Sequence, residues 1–230
     1  MIIECRTPIT RSAEGVSGTS VQAALLWVAL GANGWLIARM LGTRRGTERV
    51  GASLIVAAGV GIIISEGVSV GAHWTDLTVT AALWALAAVL IAVTLLTRTR
   101  SQRARGRIRP PRLRVHPVAI LLIGVTGAVF ATEFWIGINI APSNWDSMTY
   151  HLSRIAYWMQ YERIGDYPGA SIRQLGSLPN AEILQGLAML PTKSDTLAFA
   201  PQWLALVGIA LLTYVGAGLI TRNRSACALA

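Results

Sequence analysis

Five long runs of apolar residues constrain the fold of this chain more than any other feature of its sequence. They cover residues 21–41, 50–72, 77–96, 118–140 and 198–220. The hydrocarbon core of a bilayer is about 30 Å thick, and an α-helix needs roughly 20 apolar residues to cross it. Only 13% of the 230 residues are charged, against about 25% in soluble domains. The sequence therefore predicts an all-α, polytopic membrane protein with five transmembrane helices.

The basic residues fall in alternate connections between these runs, and this pattern predicts the orientation of the chain. Four arginines lie at 39–49, eight lie at 98–114, and two follow the last run at 222 and 224. The long segment 141–197 carries four bases against five acids. Basic loops face the cytoplasm, so the N-terminus and segment 141–197 are expected outside and the C-terminus inside. These loops account for the net charge of +9, and no nucleic-acid partner is expected.

A basic linker, residues 98–117, is expected to divide the chain into two membrane regions. It contains Pro110 and Pro111 and shows no apolar period, so we expect a cytoplasmic connector that contacts anionic lipid headgroups. The N-terminal region, residues 1–97, would hold three spans. The C-terminal region, residues 118–230, would hold two spans and the outer segment between them.

The outer segment begins with an unusually dense group of polar and aromatic residues, "NWDSMTYHLSR", at 144–154. Its larger apolar residues recur at steps of three and four, which indicates one face of a helix. These residues are Trp145, Met148, Leu152, Ile155 and Met159. A helix with such a face and a polar opposite face lies in the plane of the lipid headgroups. We therefore expect an interfacial helix over 147–159 in the outer loop, with Ser143 capping it and Asp146 in its first turn.

A second helix is indicated by the apolar pattern of residues 180–190. A helix of this length extends only about 16 Å, which is too short to cross a bilayer. We therefore expect it to be interfacial or re-entrant.

Three strings in the C-terminal region resemble the start of the catalytic core of bacterial GT-C class polytopic membrane glycosyltransferases. They are "APSNWDSMTYHLSRIAYWMQ", "YPGASIRQLGSLPNAE" and "QWLALVG", and the resemblance covers about residues 118–220. The N-W-D-S-M-T-Y-H run is its most specific part. Two positions depart from the family pattern: Leu178 replaces the first proline of an expected pair, and Asp166 stands where a histidine often precedes Tyr-Pro.

The resemblance implies sugar transfer at the outer face, with a polyprenyl-phosphate sugar as the donor. Asp146 takes the place of the acidic residue that serves the transfer in this class. A carboxylate can take the proton of an acceptor hydroxyl, or hold a divalent ion such as Mg²⁺ or Mn²⁺ against the leaving phosphate. Arg154 and Arg173 could contact phosphate oxygens, and His151 and Glu182 are further candidates for substrate binding.

Each of these residues also has a purely structural interpretation. An acid in the first turn of a helix is stabilised by the helix dipole, which would account for Asp146 and for Glu182. His151 belongs to a residue type that places an apolar ring and a polar tip at the membrane interface. Arg154 and Arg173 could simply face solvent or lipid headgroups.

The sequence thus predicts a membrane glycosyltransferase-like protein at the outer face of the bacterial cytoplasmic membrane. Enzymes of the class carry many further spans, so we expect the front portion of one: a truncation, a fragment, or a subunit whose partner chain supplies the rest. On its own the chain is expected to transfer no sugar. Two alternatives stay open. One is a non-catalytic accessory or scaffold subunit that holds a lipid or a partner, and the other is a small transporter, which the intramembrane acids Glu66 and Glu133 would favour.

Overall fold

The computed structural model of the chain is all-helical over the residues that it describes. The described residues are 13–43, 46–97, 117–167, 169–170 and 172–220. Eight α-helices follow one another along them: α1 (Ala13–Met40), α2 (Gly46–Val70), α3 (Asp76–Thr97), α4 (Pro117–Asn139), α5 (Leu152–Tyr161), α6 (Ile172–Gly176), α7 (Asn180–Met189) and α8 (Ala200–Ile220). A π-helical turn, Ser147–His151, leads into α5, and a 3₁₀ turn, Asp195–Leu197, precedes α8. The all-α prediction is therefore confirmed, whereas residues 98–116 of the predicted linker lie outside the described residues.

Five of these helices, α1 to α4 and α8, are long and apolar enough to cross a membrane. Their apolar stretches are Ser20–Met40, Gly46–Val70, Asp76–Thr97, Ile120–Asn139 and Asp195–Ala217. Each stretch overlaps one of the five apolar runs of the sequence. The prediction of a multi-pass membrane protein with five spans is therefore confirmed.

Small residues bring α1 and α2 close to each other. The buried residues of α2 are all small: Gly51, Ser53, Ala57, Gly61, Ser65 and Ser69. On α1, a Cβ atom added to Gly34 would overlap the backbone carbonyl oxygen of Ser53 and lie 3.0 Å from Cβ of Ala57. Membrane helices gain little hydrophobic energy from contacting each other, so they associate through close packing of such small residues.

A buried asparagine connects α1 to α3. The side-chain amide of Asn33 is fully buried and donates to the carbonyl oxygens of Ala29 and Leu83, each at 2.9 Å. The same face of α3 buries Val79 and Ala87. Because an unsatisfied polar group in the membrane core costs several kcal/mol, the bond to Leu83 fixes the position of α3 relative to α1.

Aromatic side chains join α4 to α8. The ring of Phe134 lies 5.6 Å from that of Phe199 and 5.2 Å from that of Trp203, measured between centroids. The indole N–H of Trp203 also donates to the carbonyl oxygen of Phe130 at 3.0 Å. Helix α8 packs against α2 as well, so it links α4 to the first three helices.

The described part of residues 140–199, between α4 and α8, folds against the end of α2 and the turn that joins it to α3. The backbone N–H of Trp74 donates to the carbonyl oxygen of Glu162 at 2.8 Å. The backbone N–H of Ile164 donates to the hydroxyl oxygen of Ser69 at 2.6 Å. These residues cover one end of the helix bundle, which we call the capped end.

The helix predicted over 147–159 is present and packs into the capped end. It begins with the π turn and continues as α5, where Ile155 and Trp158 are fully buried. At its start, by contrast, the predicted apolar face is open, since Trp145 is 76% exposed and Met148 is 58% exposed. The apolar face therefore contacts protein along α5 and is exposed only at the first turn of the helix.

Helix α7, predicted to be interfacial or re-entrant, lies inside the capped end. Six of its ten residues are buried, because it packs against α2, α5 and α8. Gly186 makes this possible, since a Cβ atom there would lie 2.6 Å from the ring of Trp74. At about 15 Å in length, α7 is too short to cross a bilayer, as the sequence predicted.

Candidate functional site

A polar cleft of about 610 Å³ opens at the capped end, between the π turn, α7 and the start of α8. Its polar lining residues are Asn144, Asp146, Ser147, His151, Gln185 and Gln202. Trp145, Leu184 and Pro201 are among the residues that complete its wall. Small-molecule sites usually measure roughly 300–1,000 Å³ and carry a few convergent polar groups, so this cleft is the candidate site.

The residue that caps the helix entering the cleft lies one position later than the sequence predicted. Oδ1 of Asn144, rather than the side chain of Ser143, accepts from the backbone N–H of Ser147 at 2.7 Å. Such a bond satisfies one of the N–H groups that the first turn leaves unpaired. Asp146 lies in this first turn, as predicted, and its side chain is exposed at the cleft.

The π turn sets the direction of two cleft residues. It is closed by a bond from the backbone N–H of Leu152 to the carbonyl oxygen of Ser147. In an α-helix, side chains five residues apart point about 140° away from each other, whereas a π turn brings them towards one face. Asp146 and His151 consequently both line the cleft. Turns of this kind often occur at functional sites.

Glu182, in the first turn of α7, orients His151. Nδ1 of His151 lies 2.9 Å from Oε1 of Glu182, and the two side chains are 33% and 2% exposed. An ionised carboxylate only accepts hydrogen bonds, so it keeps the imidazole proton on Nδ1. With its proton on Nδ1, the ring of His151 has Nε2 left to accept a hydrogen bond at the cleft.

Arg154 lies behind this pair and is 4% exposed. Nη1 lies 3.6 Å from Oε1 of Glu182 and donates to Oγ of Ser177 at 3.2 Å, and the guanidinium lies 5.2 Å above the ring of Trp158. Its contact with Asp166, at 3.7 Å, involves a carboxylate that is 66% exposed and contributes little. Arg154 does not line the cleft. Its predicted contact with phosphate stays a prediction, since here the guanidinium contacts protein groups.

Gln174, which the sequence analysis missed, fastens α6 to the helix that bears the π turn. Its Nε2 lies 2.7 Å from the hydroxyl oxygen of Tyr167, 3.1 Å from the carbonyl oxygen of Tyr150 and 3.2 Å from Oγ of Ser153. The only sequence signal for this position was the R-Q-L string of the resemblance. The side chain of the neighbouring Arg173 lies outside the described residues, so its phosphate contact stays a prediction.

Gln185 and Gln202, two further cleft residues, were missed as well. Gln185 lies one turn after Glu182 on α7, and Gln202 belongs to the Q-W pair that opens α8. The spacing from Glu182 could have indicated Gln185, because residues three apart are neighbours on a helix surface. The intramembrane acids Glu66 and Glu133 are exposed on α2 and α4 and do not line the cleft.

The donor groups of the cleft restrict the kind of metal site that it could form. Among the described residues, no group of three or more His, Cys, Asp or Glu is placed to hold a metal ion. Mg²⁺ is often held by one or two carboxylates, with waters and substrate phosphates completing its shell. An ion at Asp146 would therefore need oxygens from a bound substrate, and metal binding by Asp146 stays a prediction.

Fold and site together define an all-helical, multi-pass membrane protein with a polar cleft at one end of its helix bundle. No family model matches the chain, and no curated protein or solved structure matches it either.

Proposed function

We propose that this chain is a glycosyltransferase-like membrane protein that binds a polyprenyl-phosphate sugar at the outer face of the bacterial cytoplasmic membrane. The observation that carries the proposal is that Asp146 and His151 line one cleft at the end of a bundle of apolar helices. Both residues belong to the N-W-D-S-M-T-Y-H string. The resemblance of that string to GT-C class enzymes supports the same function.

Sugar transfer needs a group that takes a proton from the acceptor. In the proposed step, the oxygen of an acceptor hydroxyl forms a bond to the anomeric carbon, while the bond from that carbon to the phosphate oxygen breaks. Polyprenyl phosphate leaves with the electron pair of the broken bond, and the hydroxyl proton passes to the carboxylate of Asp146. Nε2 of His151 is a second proton acceptor on the same cleft, in a ring that Glu182 holds in one tautomer.

Arg154 is a positioning residue in this proposal. A buried carboxylate is costly without a charged partner, and the guanidinium of Arg154 is the buried positive group beside Glu182. By holding Glu182, Arg154 also holds the imidazole of His151 towards the cleft. Arg173 remains the candidate for contact with the donor phosphate.

The substitution Asp146→Asn removes the negative charge and keeps the size of the side chain. We expect this variant, reconstituted in vesicles, to bind an alkyl glucoside, whose hydroxyls stand in for those of the acceptor, at least about tenfold more weakly, because a hydrogen bond to a charged group contributes about 1.5–3 kcal/mol. Native mass spectrometry of the wild type and the variant measures the difference. The thermal unfolding of Asp146→Asn should match that of the wild type, since Asn is tolerated at a helix start.

Asp195→Asn is the matched control for this prediction. Asp195 lies in the first turn of the 3₁₀ helix at the same end of the bundle, outside the cleft, so binding should be unchanged. Equal binding by the wild type and Asp146→Asn would contradict the role of Asp146. Failure of the wild type to bind any polyprenyl-phosphate hexose would contradict the proposed function itself.

The proposed orientation predicts which cysteine is labelled from outside the cell. After Cys5 and Cys227 are replaced by serine, we expect Ser147→Cys to react with a membrane-impermeant maleimide in intact cells. A cysteine at Ser101 should react only after the membrane is permeabilised, because the basic segment around it is proposed to be cytoplasmic. The opposite labelling pattern would place the cleft on the cytoplasmic side and exclude an outer-face reaction.

A further inference from the structure

A second cavity adjoins the polar cleft and differs from it in chemistry. It is a groove of about 570 Å³ between α1, α2 and α8. Every residue that lines it is apolar; the larger ones include Trp27, Leu30, Leu54, Leu204, Ile209 and Leu212. On α8 the lining runs from Pro201 to Leu212, which is a length of about 16 Å along the helix.

The cleft and the groove have three lining residues in common. Leu184 of α7, together with Pro201 and Ala205 of α8, lines both of them. The cleft lies at the capped end, whereas the groove extends from there between helices that are long enough to cross a membrane. A molecule that fills both therefore has a polar headgroup at the end of the bundle and an apolar chain at the depth of the bilayer. This is the distribution of polarity in a lipid.

The polar groups of the cleft match a headgroup that is uncharged and rich in hydroxyls. The side-chain amides of Asn144, Gln185 and Gln202 each offer donors and an acceptor, as a hydroxyl itself both donates and accepts. Trp145, which is 76% exposed, adds an aromatic surface for the apolar face of a sugar ring. None of the described residues that line the cleft is an Arg or a Lys, the residue types that most often bind phosphate.

We infer that the cleft and the groove together bind a glycolipid with an uncharged sugar headgroup, whose chain lies between α1, α2 and α8. The inference rests on the proposed function in one respect: in sugar transfer this molecule is the acceptor. Asp146 lies in the headgroup part of the cavity, where its carboxylate takes the proton of an acceptor hydroxyl. The acceptor is then a lipid distinct from the polyprenyl-phosphate donor.

Photo-crosslinking of the protein in phosphatidylcholine nanodiscs tests this inference. The probe is dodecyl glucoside with a diazirine near the end of its alkyl chain. We expect the labelled peptides to come from the groove-lining parts of α2 and α8. Unlabelled dodecyl glucoside should displace the probe at least about tenfold more effectively than dodecyl phosphate, because a site built to bond hydroxyls rejects a headgroup that lacks them. Equal labelling of all five spans, or equal displacement by the phosphate, would overturn the inference.

Two substitutions fill part of the groove. They distinguish binding in the groove from general contact with lipid. Gly31 lines the groove, and a Cβ atom there would meet nothing within 4 Å, so Gly31→Leu should fold and lose about fivefold or more of the labelling by steric exclusion. Ala205→Phe narrows the junction with the cleft and should act likewise. Gly124→Leu on α4 is the matched control, because its Cβ is equally unobstructed and it lies outside the groove. Undiminished labelling of both folded groove variants would contradict the inference.

The two proposals fail in different ways. If the polyprenyl-phosphate hexose does not bind but the dodecyl glucoside probe labels the groove, the proposed function is wrong and the glycolipid site stands. If the hexose donor binds but the probe does not label the groove selectively, the glycolipid site is wrong and the proposed function stands.

Discussion

Replacing Glu182 with leucine is expected to lower the free energy of unfolding by about 3–5 kcal/mol, because it leaves the buried guanidinium of Arg154 without its buried charged partner. The two side chains are 2% and 5% exposed, so water cannot replace the lost interaction. His151 loses its bond to the carboxylate at the same time. Circular dichroism of the protein in mixed micelles, recorded against the mole fraction of sodium dodecyl sulfate, measures the change.

A double variant distinguishes the unpaired charge from a simple packing defect. Adding Arg154→Met to Glu182→Leu removes the charge, so the pair should recover about 2 kcal/mol or more relative to the single variant. As a control, Asp76→Leu makes the same type of change at a half-buried acid in the first turn of α3 and should cost about 1 kcal/mol or less. A double variant no more stable than Glu182→Leu would contradict the ion-pair interpretation.

The substitution Gly34→Leu is expected to separate α1 from α2 and to cost about 3 kcal/mol or more. The atom that the new side chain would meet first is the backbone carbonyl oxygen of Ser53, which cannot move without shifting α2. Thermal unfolding in detergent, with loss of helical signal as the readout, measures the effect.

Gly31→Leu, one turn earlier on α1, is the control for Gly34→Leu. Its Cβ meets nothing within 4 Å, so the change in stability should stay within about 0.5 kcal/mol. A Gly34→Leu variant as stable as the wild type would show that α1 and α2 do not pack closely at this position. Similar losses in both variants would show that any large side chain on this part of α1 is destabilising, and not the contact with Ser53 in particular, since leucine is a better helix former than glycine.

The membrane-spanning part of the fold could be predicted from the sequence because each span is a local property of one apolar run. The observed helices differ from the predicted spans at their ends. Helix α2 begins at Gly46, four residues before the apolar run at 50–72, since the polar residues 46–49 continue the helix beyond that run. Hydropathy shows which residues can enter lipid, whereas the ends of a helix are set by its backbone hydrogen bonds.

The contacts of the capped end could not be predicted in the same way. His151 and Glu182 are 31 residues apart, and only the packing of α7 against α5 brings them together. The period of an amphipathic helix shows which face is apolar but not whether lipid or protein covers it, so the burial of α7 was missed. The π turn has no signature in composition, although it decides that Asp146 and His151 share the cleft.

The hydrogen bonds between the α2–α3 turn and residues 162–164 impose an order on the assembly of the chain. Helices α1 to α3 are synthesised first, so we expect Ser69 and Trp74 to be in place when the residues that bond to them emerge. The early helices thus act as a template on which the α4–α8 segment completes its fold. We therefore expect the cleft to depend on the N-terminal helices, although none of the described residues that line it belongs to them.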